Sequence, residues 1–253
     1  MLSEERRRAI LDMIEEDGRV VVRDLAKHFR TSLITIRKDL EFLHHQGQLE
    51  RTHGGALPVK SGALMDSSLQ EKERLHRVEK TRIAAAAARM ISKDQVIILD
   101  SGTTTSAIAR SCRHLKNLTI ITNAINIAAE LANSPVEVIL TGGALRKNSF
   151  SLVGPLAEES LRKLSADLFF LAVDGFDVHY GLTTPNLLEA RVNRAMAESA
   201  RRTVVVCDSS KFGRRSLSLI IPTAGVHETI TDKNISKRDL MTLREAEIEV
   251  TLV

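Results

Sequence analysis

The chain has 253 residues, 43% of them hydrophobic and 27% charged, a composition that is ordinary for a globular protein and excludes a disordered or fibrous one. Its net charge of +4 is compatible with a nucleic-acid partner but does not establish one. The longest purely apolar run, residues 168–173, is far shorter than the roughly 20 residues that span a bilayer, and the N-terminal residues are polar, so we expect a cytoplasmic protein with no membrane partner.

Three short helices are predicted in the first 47 residues. The first begins at Ser3, a favourable N-cap, and the second spans residues 23–29. Ser32 can cap the third helix, which we expect to end near Gly47. The core positions of this third helix recur at helical spacing and are Ile36, Leu40 and Leu43.

Residues 48–57 then predict a two-stranded ribbon. We expect its turn at Gly54-Gly55, because paired glycines supply the positive φ that a tight hairpin needs. Two short helices joined by a tight turn and followed by a ribbon form a winged helix-turn-helix, whose second helix can lie in the DNA major groove. The sequence therefore predicts a DNA-binding domain over residues 1–58.

Polar side chains on the third helix and the ribbon are candidates for contact with double-stranded DNA. Residues 27–60 carry six basic groups and three acidic groups, so this stretch is locally positive. An isolated Arg-Lys pair is often only a solvated face, but here the pair occupies the recognition-helix position. The candidate DNA-binding residues are Ser32, Thr35, Arg37, Lys38, Arg51 and His53.

From residue 81 onward the sequence alternates helical segments with short apolar runs. Continuously apolar runs are typical of strands that are buried on both faces, as in a parallel sheet. We therefore predict an α/β domain over residues 81–253, with a linker and the start of this domain at residues 59–80. The predicted strands are residues 96–99, 118–121, 136–140, 168–173, 203–207, 228–231 and 248–253.

The loop after the first of these strands has the composition of an anion site. It reads Asp100-Ser101-Gly102-Thr103-Thr104-Thr105 and opens a predicted helix. Such a loop offers backbone N–H groups, small hydroxyls and the positive end of a helix dipole to a phosphate. The alternative is a simple helix cap, which needs one hydroxyl but does not need a glycine followed by three threonines.

Four further strand ends carry polar groups. Ligands of open parallel sheets bind beyond the carboxyl ends of the strands, so we expect these loops and the phosphate loop to converge on one pocket. Any single loop could instead be ordinary turn chemistry. The additional candidates for effector binding are Thr122, Asn123, Gly142, Gly143, Asp174, Gly175, Asp177 and Lys211.

The two cysteines, Cys112 and Cys207, fall in different predicted elements and are expected to fill the core. The sequence predicts no disulfide, no metal site and no cofactor.

The N-terminal segment resembles the DeoR family of sugar-metabolism repressors. The resemblance rests on Asp24-Leu25-Ala26, on residues 35–40 (Thr-Ile-Arg-Lys-Asp-Leu) and on residues 51–56 (Arg-Thr-His-Gly-Gly-Ala). Two positions depart from the family pattern: the turn holds Arg30-Thr31 where the family has Gly-Val, and Leu33 stands where a polar residue is usual. Arg30 must tolerate the turn geometry or form a different turn.

The C-terminal segment resembles the ribose-5-phosphate isomerase and CoA-transferase-like fold that the sensor of this family shares. Residues 101–104 are similar to the phosphate loop of the isomerases, residues 174–177 to their acidic turn, and Lys211 to their lysine. Glu189 falls near their general base, so it joins the expected effector-binding set. The lysine and glycine cluster of the isomerases is replaced by His179-Tyr180-Gly181.

The resemblance implies a repressor that a phosphorylated sugar releases from its operator, and within the family it points to members that govern amino-sugar use. It also implies a homo-oligomer, a dimer or a tetramer, in which paired DNA-binding heads reinforce one another. Because part of the isomerase set is missing, we expect a sensor with no catalytic residues. The alternatives are an isomerase-like enzyme fused to a DNA-binding head, and a ligand-dependent activator or corepressor-type regulator.

Overall fold

A computed structural model describes residues 2–17, 19–58 and 64–253 of the chain. The chain divides into two compact units, Met1–Gly62 and Ala63–Val253. Of the segment predicted as linker and domain start, residues 59–63 lie outside the described part of the chain, and residues 64–80 belong to the second unit. None of the helices in the described ranges combines the length and the apolar character needed to cross a bilayer.

The N-terminal unit has the predicted winged helix-turn-helix fold. Its elements are α1 (Ser3–Asp17), β1 (Val20–Val21), α2 (Val22–His28), α3 (Leu33–His45), β2 (Leu49–Arg51) and β3 (Gly55–Pro58). The strands pair antiparallel in the order β1-β3-β2, so the ribbon gains a third strand directly before α2. Ile10, Leu25, Ile36 and Leu40 are buried in one core that joins the three helices.

The turn between α2 and α3 contains a residue with a left-handed backbone. Arg30 has a φ of 48°; its N–H donates to the Lys27 carbonyl at 3.2 Å, and the Thr31 N–H donates to the Ala26 carbonyl at 3.0 Å. These two bonds form the Schellman motif that ends many helices, in which glycine usually takes the left-handed position. Arg30 therefore tolerates the geometry of the turn. Ser32 caps α3 as predicted, since its side chain accepts a hydrogen bond from the Thr35 N–H at 3.0 Å.

The wing turns at residues 52–54, so the predicted turn at the glycine pair was wrong. Gly55 is the first residue of β3, and neither Gly54 nor Gly55 has a positive φ. Gly55 is needed for a different reason: a Cβ there would lie 1.9 Å from the carbonyl oxygen of Val20 in the paired strand β1. Gly54, in contrast, has open space where a Cβ would stand.

We expect Gly55→Ala to lower the free energy of unfolding of the N-terminal unit by roughly 2–3 kcal/mol, because the added methyl group overlaps a backbone oxygen that cannot rotate away. Gly54→Ala is the matched control and should change this free energy by less than about 0.5 kcal/mol. Chemical denaturation followed by circular dichroism measures both effects. Equal unfolding midpoints for the two variants would contradict the close approach of β1 and β3.

The C-terminal unit contains a seven-stranded sheet that confirms the predicted α/β architecture. In chain order the elements of this unit are α4 (Leu69–Arg74), α5 (Arg77–Arg89), β4 (Val96–Leu99), α6 (Thr103–Cys112), β5 (Thr119–Thr122), α7 (Ile125–Leu131), β6 (Glu137–Leu140), β7 (Ala144–Arg146), β8 (Ser151–Val153), α8 (Pro155–Arg162), β9 (Ala166–Leu171), β10 (Gly175–Asp177), β11 (Gly181–Thr184), α9 (Leu187–Glu198), β12 (Ala200–Val206), β13 (Ser218–Ile221), β14 (Glu228–Thr231), α10 (Lys237–Glu245) and β15 (Glu249–Leu252). The sheet order is β15-β14-β12-β9-β4-β5-β6, and every neighbouring pair is parallel. Each predicted apolar run forms one of these strands.

Helices cover both faces of this sheet because its strands are apolar on both sides. Ile98 and Phe169 pack on one face with residues of α8, α9 and α10. Ile97 and Phe170 pack on the other face with residues of α5, α6 and α7. With both faces buried, a ligand can approach the sheet only at the loops beyond its strand ends.

Two small antiparallel sheets were not predicted from the sequence. One pairs β7 with β8, and the other has the order β10-β11-β13. Both lie between strands of the main sheet along the chain, so they occupy positions where the sequence indicated loops.

Candidate functional sites

Helix α3 presents a basic surface beside its core stripe. Arg37 and Lys38 are exposed, whereas the adjacent Ile36 and Leu40 are buried. In the described part of the chain neither basic side chain forms an ion pair. Both are therefore available to a DNA phosphate or a base edge. Thr35 is half-buried, and its hydroxyl lies 2.9 Å from that of Ser32 within the helix cap.

Two apolar side chains at the start of α3 are also exposed. Leu33 is 40% exposed and Ile34 is 64% exposed. The sequence analysis noted Leu33 only as a departure from the family pattern, and it missed Ile34. Apolar side chains at this end of a recognition helix can pack against thymine methyl groups in the major groove.

A buried ion pair fixes α3 against α1. Asp39, which is 2% exposed, accepts hydrogen bonds from Nε of Arg6 at 2.6 Å and from Nε of Arg7 at 2.9 Å. The Arg7 guanidinium also lies 3.8 Å from the centre of the Phe42 ring. Asp39 belongs to the family-like stretch 35–40, and the structure shows that it anchors the helix while its neighbours Arg37 and Lys38 face solvent.

The two wing candidates have different surroundings. Arg51 forms an ion pair with Glu41 of α3, and its buried Nε has no hydrogen-bond partner among the described residues. Arg51 therefore ties the wing to the recognition helix. His53 is exposed in the turn of the wing.

A cavity lies at the carboxyl ends of three adjacent strands, β4, β9 and β12. Its volume is about 50 Å³. Helices α4 and α5 complete its wall. The cavity is lined by Leu69, Lys72, Lys80, Ser101, Gly102, Thr103, Thr104, Ala172, Val173, Asp174, Val206, Cys207, Asp208 and Lys211.

The predicted phosphate loop forms one side of this cavity. Gly102 precedes α6, and a Cβ at Gly102 would lie 2.6 Å from the Cβ of Ala172, so only glycine fits there. Thr105 is fully buried, and its hydroxyl bonds within the loop, accepting from the Gly102 N–H at 2.9 Å and contacting the Asp100 carbonyl at 2.9 Å. Ser101, Thr103 and Thr104 face the cavity, with the first N–H groups of α6, which have no partner within a helix.

An ion pair crosses the cavity wall. Nζ of Lys72, on α4, lies 2.5 Å from Oδ1 of Asp174, and Oδ2 of Asp174 accepts from the Thr184 hydroxyl at 3.3 Å. Burial alone would raise the pKa of the Asp174 carboxyl, but Lys72 and Lys211 outweigh this effect and hold the pKa below its ordinary value. Asp174 is therefore ionised at neutral pH.

Lys80 and Lys211 bring two further cations to the cavity. Burial lowers the pKa of Lys80 to about 8, and Asp208 offsets part of that effect. Nζ of Lys80 donates to the Lys72 carbonyl at 2.5 Å. Burial would raise the pKa of Asp208, but Lys211 and then His76 outweigh it, so that this carboxyl also stays ionised.

Asp100 lies behind the cavity, is 2% exposed and forms no ion pair within the described ranges of the chain. Burial raises the pKa of Asp100 well above its ordinary value, and the nearby charges of Glu189 and Asp174 raise it further. A hydrogen bond of 3.1 Å from the Ala172 N–H lowers this pKa but does not offset the effect of burial. The second oxygen of Asp100, Oδ1, is buried without a hydrogen-bond partner among the described residues. Asp100 was expected to bind effector, but in the structure it lies outside the cavity lining and supports the loop from behind.

The expected convergence of five loops on one pocket does not occur. Thr122, Asn123, Gly142 and Gly143 do not line the cavity, because β5 and β6 lie at the edge beyond β4 and adjacent strands are about 4.8 Å apart. Their polar groups support the loops instead. The Thr122 hydroxyl donates to the Leu99 carbonyl at 2.7 Å, and Nδ2 of Asn123 donates to the Leu152 carbonyl at 3.2 Å.

Gly175, Asp177 and Glu189 also lie outside the cavity lining. Asp177 accepts from Nε of Arg215 at 2.7 Å and from the Tyr180 N–H at 3.0 Å, which stabilises the hairpin between β10 and β11. Gly175 is needed for packing, since a Cβ there would lie 2.5 Å from a backbone oxygen.

Glu189 belongs to a buried network that reaches the cavity through Thr184, whose hydroxyl lies 3.5 Å from Oε2 of Glu189 and 3.3 Å from Oδ2 of Asp174. Oε1 of Glu189 accepts from Nη1 of Arg146 at 3.1 Å and from the Ser151 hydroxyl at 2.9 Å. Arg146 forms a second ion pair with Asp66.

Sequence reasoning missed Lys72 and Lys80. Lys72 lies in the segment read as linker, where no motif marks it. Lys80 did carry a signal, because it falls three, four and seven residues before Ile83, Ala84 and Ala87, which are buried on one face of α5. A lysine on a buried helical stripe is expected to be paired or functional.

Two family models match the chain. Residues 6–61 match the DeoR-like helix-turn-helix domain, and residues 75–233 match the DeoR C-terminal sensor domain. The resemblance expected from the sequence motifs is thereby confirmed.

Full-length relatives give the same result. A protein of Escherichia coli O157:H7, named as a transcriptional repressor of the aga operon, is 42% identical over 251 residues, which cover 98% of this chain and 93% of the relative. The glycerol-3-phosphate regulon repressor of Escherichia coli K12 is 31% identical over 250 residues, which cover 93% of this chain and 98% of the relative. Among solved structures, ribose 5-phosphate isomerase A from Methanocaldococcus jannaschii aligns with 53% of this chain and 53% of its own, at 16% identity and a TM-score of 0.39.

The raised pKa of Asp100 predicts a specific pH dependence of stability. Between the unfolded pKa and the higher folded pKa, the folded state holds a proton that the unfolded state has released, so this residue costs stability as the pH rises. Asp100→Asn cannot ionise and avoids this cost. Its free energy of unfolding relative to wild type should therefore rise from pH 4.5 to pH 7.5, by at most about 1.4 kcal/mol per pH unit.

Asp177→Asn is the control for this measurement. The hydrogen bond from Arg215 lowers the pKa of Asp177, so its contribution is fully present above the unfolded pKa and the relative stability of the variant should stay flat over the same range. Urea denaturation at several pH values measures both variants. A flat profile for Asp100→Asn would show that Asp100 is ionised in the folded protein.

Proposed function

The chain belongs to the DeoR family of transcription regulators, and on that premise we propose that it represses a carbohydrate-utilisation operon and is released from its operator by a phosphorylated sugar. One observation carries the proposal: a single chain joins an exposed basic recognition helix to a cavity where three lysines face a helix-opening Ser-Gly-Thr-Thr loop. The protein acts in the cytoplasm on double-stranded DNA. It works as a homo-oligomer, a dimer or a tetramer, because paired half-sites multiply modest affinities.

The cavity suits a phosphate monoester. Lys72, Lys80 and Lys211 supply positive charge, and the first turn of α6 supplies N–H groups and hydroxyls at a positive dipole end. Charge-assisted hydrogen bonds of this kind are about twice as strong as neutral ones.

The carboxylates in the cavity suit the sugar. Asp174 and Asp208 are ionised and can accept hydrogen bonds from hydroxyls or from an ammonium group. A phosphorylated sugar of the galactosamine or tagatose series, with a phosphate for the lysines and hydroxyls or an amino group for the carboxylates, satisfies both. The relative named for the aga operon supports this choice.

The surroundings of Glu189 and Asp100 favour binding without turnover. A general base must be within reach of the substrate and ionised. Glu189 lies outside the cavity lining with its carboxylate engaged by Arg146 and Ser151, and burial keeps Asp100 protonated.

A thermal-shift experiment on the full chain tests the ligand class. A ligand that binds only the folded protein raises its melting temperature. The probes are galactosamine 6-phosphate, N-acetylgalactosamine 6-phosphate and tagatose 6-phosphate, with galactosamine and inorganic phosphate as controls. The proposal requires that at least one sugar phosphate gives a larger shift than both controls, and equal shifts for all five would refute it.

Thr103→Asp should abolish the response to sugar phosphate while DNA binding persists. The added carboxylate places like charge against the ligand phosphate, yet it is locally favourable in the first turn of α6, so the fold should survive. Thr103→Asn is the matched neutral control and should retain most of the response. The measurement is operator binding by fluorescence anisotropy with and without the best probe, and equal ligand sensitivity of both variants would place the phosphate elsewhere.

Arg37→Ala with Lys38→Ala should weaken operator binding and leave ligand binding unchanged. A base-contacting arginine contributes about 1–3 kcal/mol, and each lost phosphate contact lowers the slope of log K against log salt by about 0.9. The control removes two exposed lysines of the C-terminal unit, Lys116 and Lys233. If both double variants bind the operator equally, α3 is not the recognition helix.

A further inference from the structure

The first described residues of the C-terminal unit contact the rest of that unit at several points. We call residues 64–74, which end in α4, the roof segment. Asp66 forms an ion pair with Arg146, and its carbonyl accepts from Nδ2 of Asn148 at 3.0 Å. The Leu69 N–H donates to the Asn148 carbonyl at 2.9 Å. These contacts bind the roof segment to residues 146–148, at the end of β7 and just after it.

The second half of the roof segment closes the cavity. Leu69 and Lys72 are part of its lining, Lys72 pairs with Asp174 at 2.5 Å, and the Lys72 carbonyl accepts from Lys80 at 2.5 Å. Ser68 and Glu71 form a capping box, with hydrogen bonds of 2.8 Å and 3.3 Å, so that the N-terminus of α4 is capped within the roof segment itself.

The small volume of the cavity is a reason to expect the roof segment to move when a sugar binds. About 50 Å³ holds a few water molecules, whereas small-molecule sites start at about 300 Å³. The floor of the cavity is the buried sheet, whose strands are held on both sides. The roof segment is held by ion pairs and a few hydrogen bonds. We therefore expect its displacement to cost less free energy than displacement of the strands below it.

A phosphate group also changes the charge balance that keeps the roof closed. In the closed form Lys72 neutralises Asp174. A dianionic phosphate at the loop of residues 101–104 competes with Asp174 for Lys72. Lys211 also lowers the pKa of Asp174, so this carboxylate keeps a second cation when Lys72 turns to the ligand.

From these contacts we propose that the roof segment is the element through which sugar phosphate changes operator affinity: it is closed in the ligand-free, DNA-binding form, and ligand opens it. Along the chain the roof segment lies between the DNA-binding unit and the rest of the sensor, so the covalent connection between the two passes through it. The inference rests on the proposed function, because it assumes that the cavity takes the sugar phosphate.

Asp66→Ala tests the proposal away from the cavity lining. It removes one side of the Asp66–Arg146 pair, leaves Arg146 with Glu189, and should favour the open form. Because ligand binds only the open form, its apparent affinity should rise about two- to fivefold, and operator affinity without ligand should fall by a similar factor. Glu249→Ala, which removes an ion pair with Arg202, is the control and should change neither affinity.

Opposite shifts of the two affinities distinguish opening from damage. General destabilisation lowers both, and a purely structural role of Asp66 leaves both unchanged; either result overturns the proposal. Operator affinity is measured by fluorescence anisotropy on a duplex selected from a random library with the wild-type protein, so this arm needs no ligand. Ligand affinity is measured by calorimetry with the sugar phosphate of largest thermal shift.

Hydrogen exchange separates failure of this proposal from failure of the proposed function. When sugar phosphate is added to the wild-type protein, amides in residues 101–105 should exchange more slowly because they hold the phosphate. Amides in residues 64–74, including the Leu69 N–H, should exchange faster because the roof opens. Protection of both segments would show that the roof stays closed over the ligand, whereas no change in residues 101–105 would refute the binding site itself.

Discussion

Several buried or partly buried carboxylates in this protein are paired with cations from other elements, and these pairs determine how the elements around α3 and around the cavity are placed. An unpaired buried charge costs several kcal/mol, so each pair holds its two elements together. Asp39 holds α1 against the recognition helix through Arg6 and Arg7. Asp174 holds α4 over the cavity through Lys72. The same requirement that stabilises the fold therefore positions both the exposed basic face of α3 and the wall of the cavity.

Asp100 avoids the cost of an unpaired buried charge in a different way. None of the ion pairs among the described residues includes it, and burial raises its pKa well above the ordinary value. The raised pKa favours the neutral acid, which supports the loop after β4 without competing for the lysines of the cavity. Three lysines therefore face only two ionised carboxylates, Asp174 and Asp208, and the cavity keeps an excess of positive charge for an anion. A sensor needs this excess, because its ligand must be drawn from water into a partly buried site.

Local patterns in the sequence were sufficient for the architecture. Helical spacing of Ile36, Leu40 and Leu43 predicted α3, and seven short β-rich runs predicted the seven strands of the parallel sheet. The loop for which we propose phosphate binding was also recognisable, because Ser-Gly-Thr-Thr between a strand and a helix is a contiguous motif. The small antiparallel sheets were missed, since β7, β10 and β11 are three or four residues long and follow turns without a clear alternation.

The sequence by itself determined which residues form α3, the sheet and the Ser-Gly-Thr-Thr loop, because these depend on neighbours within one or two turns or on one strand. Only the tertiary structure decided which loops share a cavity. β4, β9 and β12 are adjacent in the sheet although 70 and 35 residues or so separate them along the chain, whereas β5 follows β4 closely and yet ends beside the cavity and not in it. The tertiary structure also decided the roles of Lys72, Asp66 and Glu189. Ion pairs form between side chains that are close in space, and the spacing of residues along the sequence does not predict that closeness.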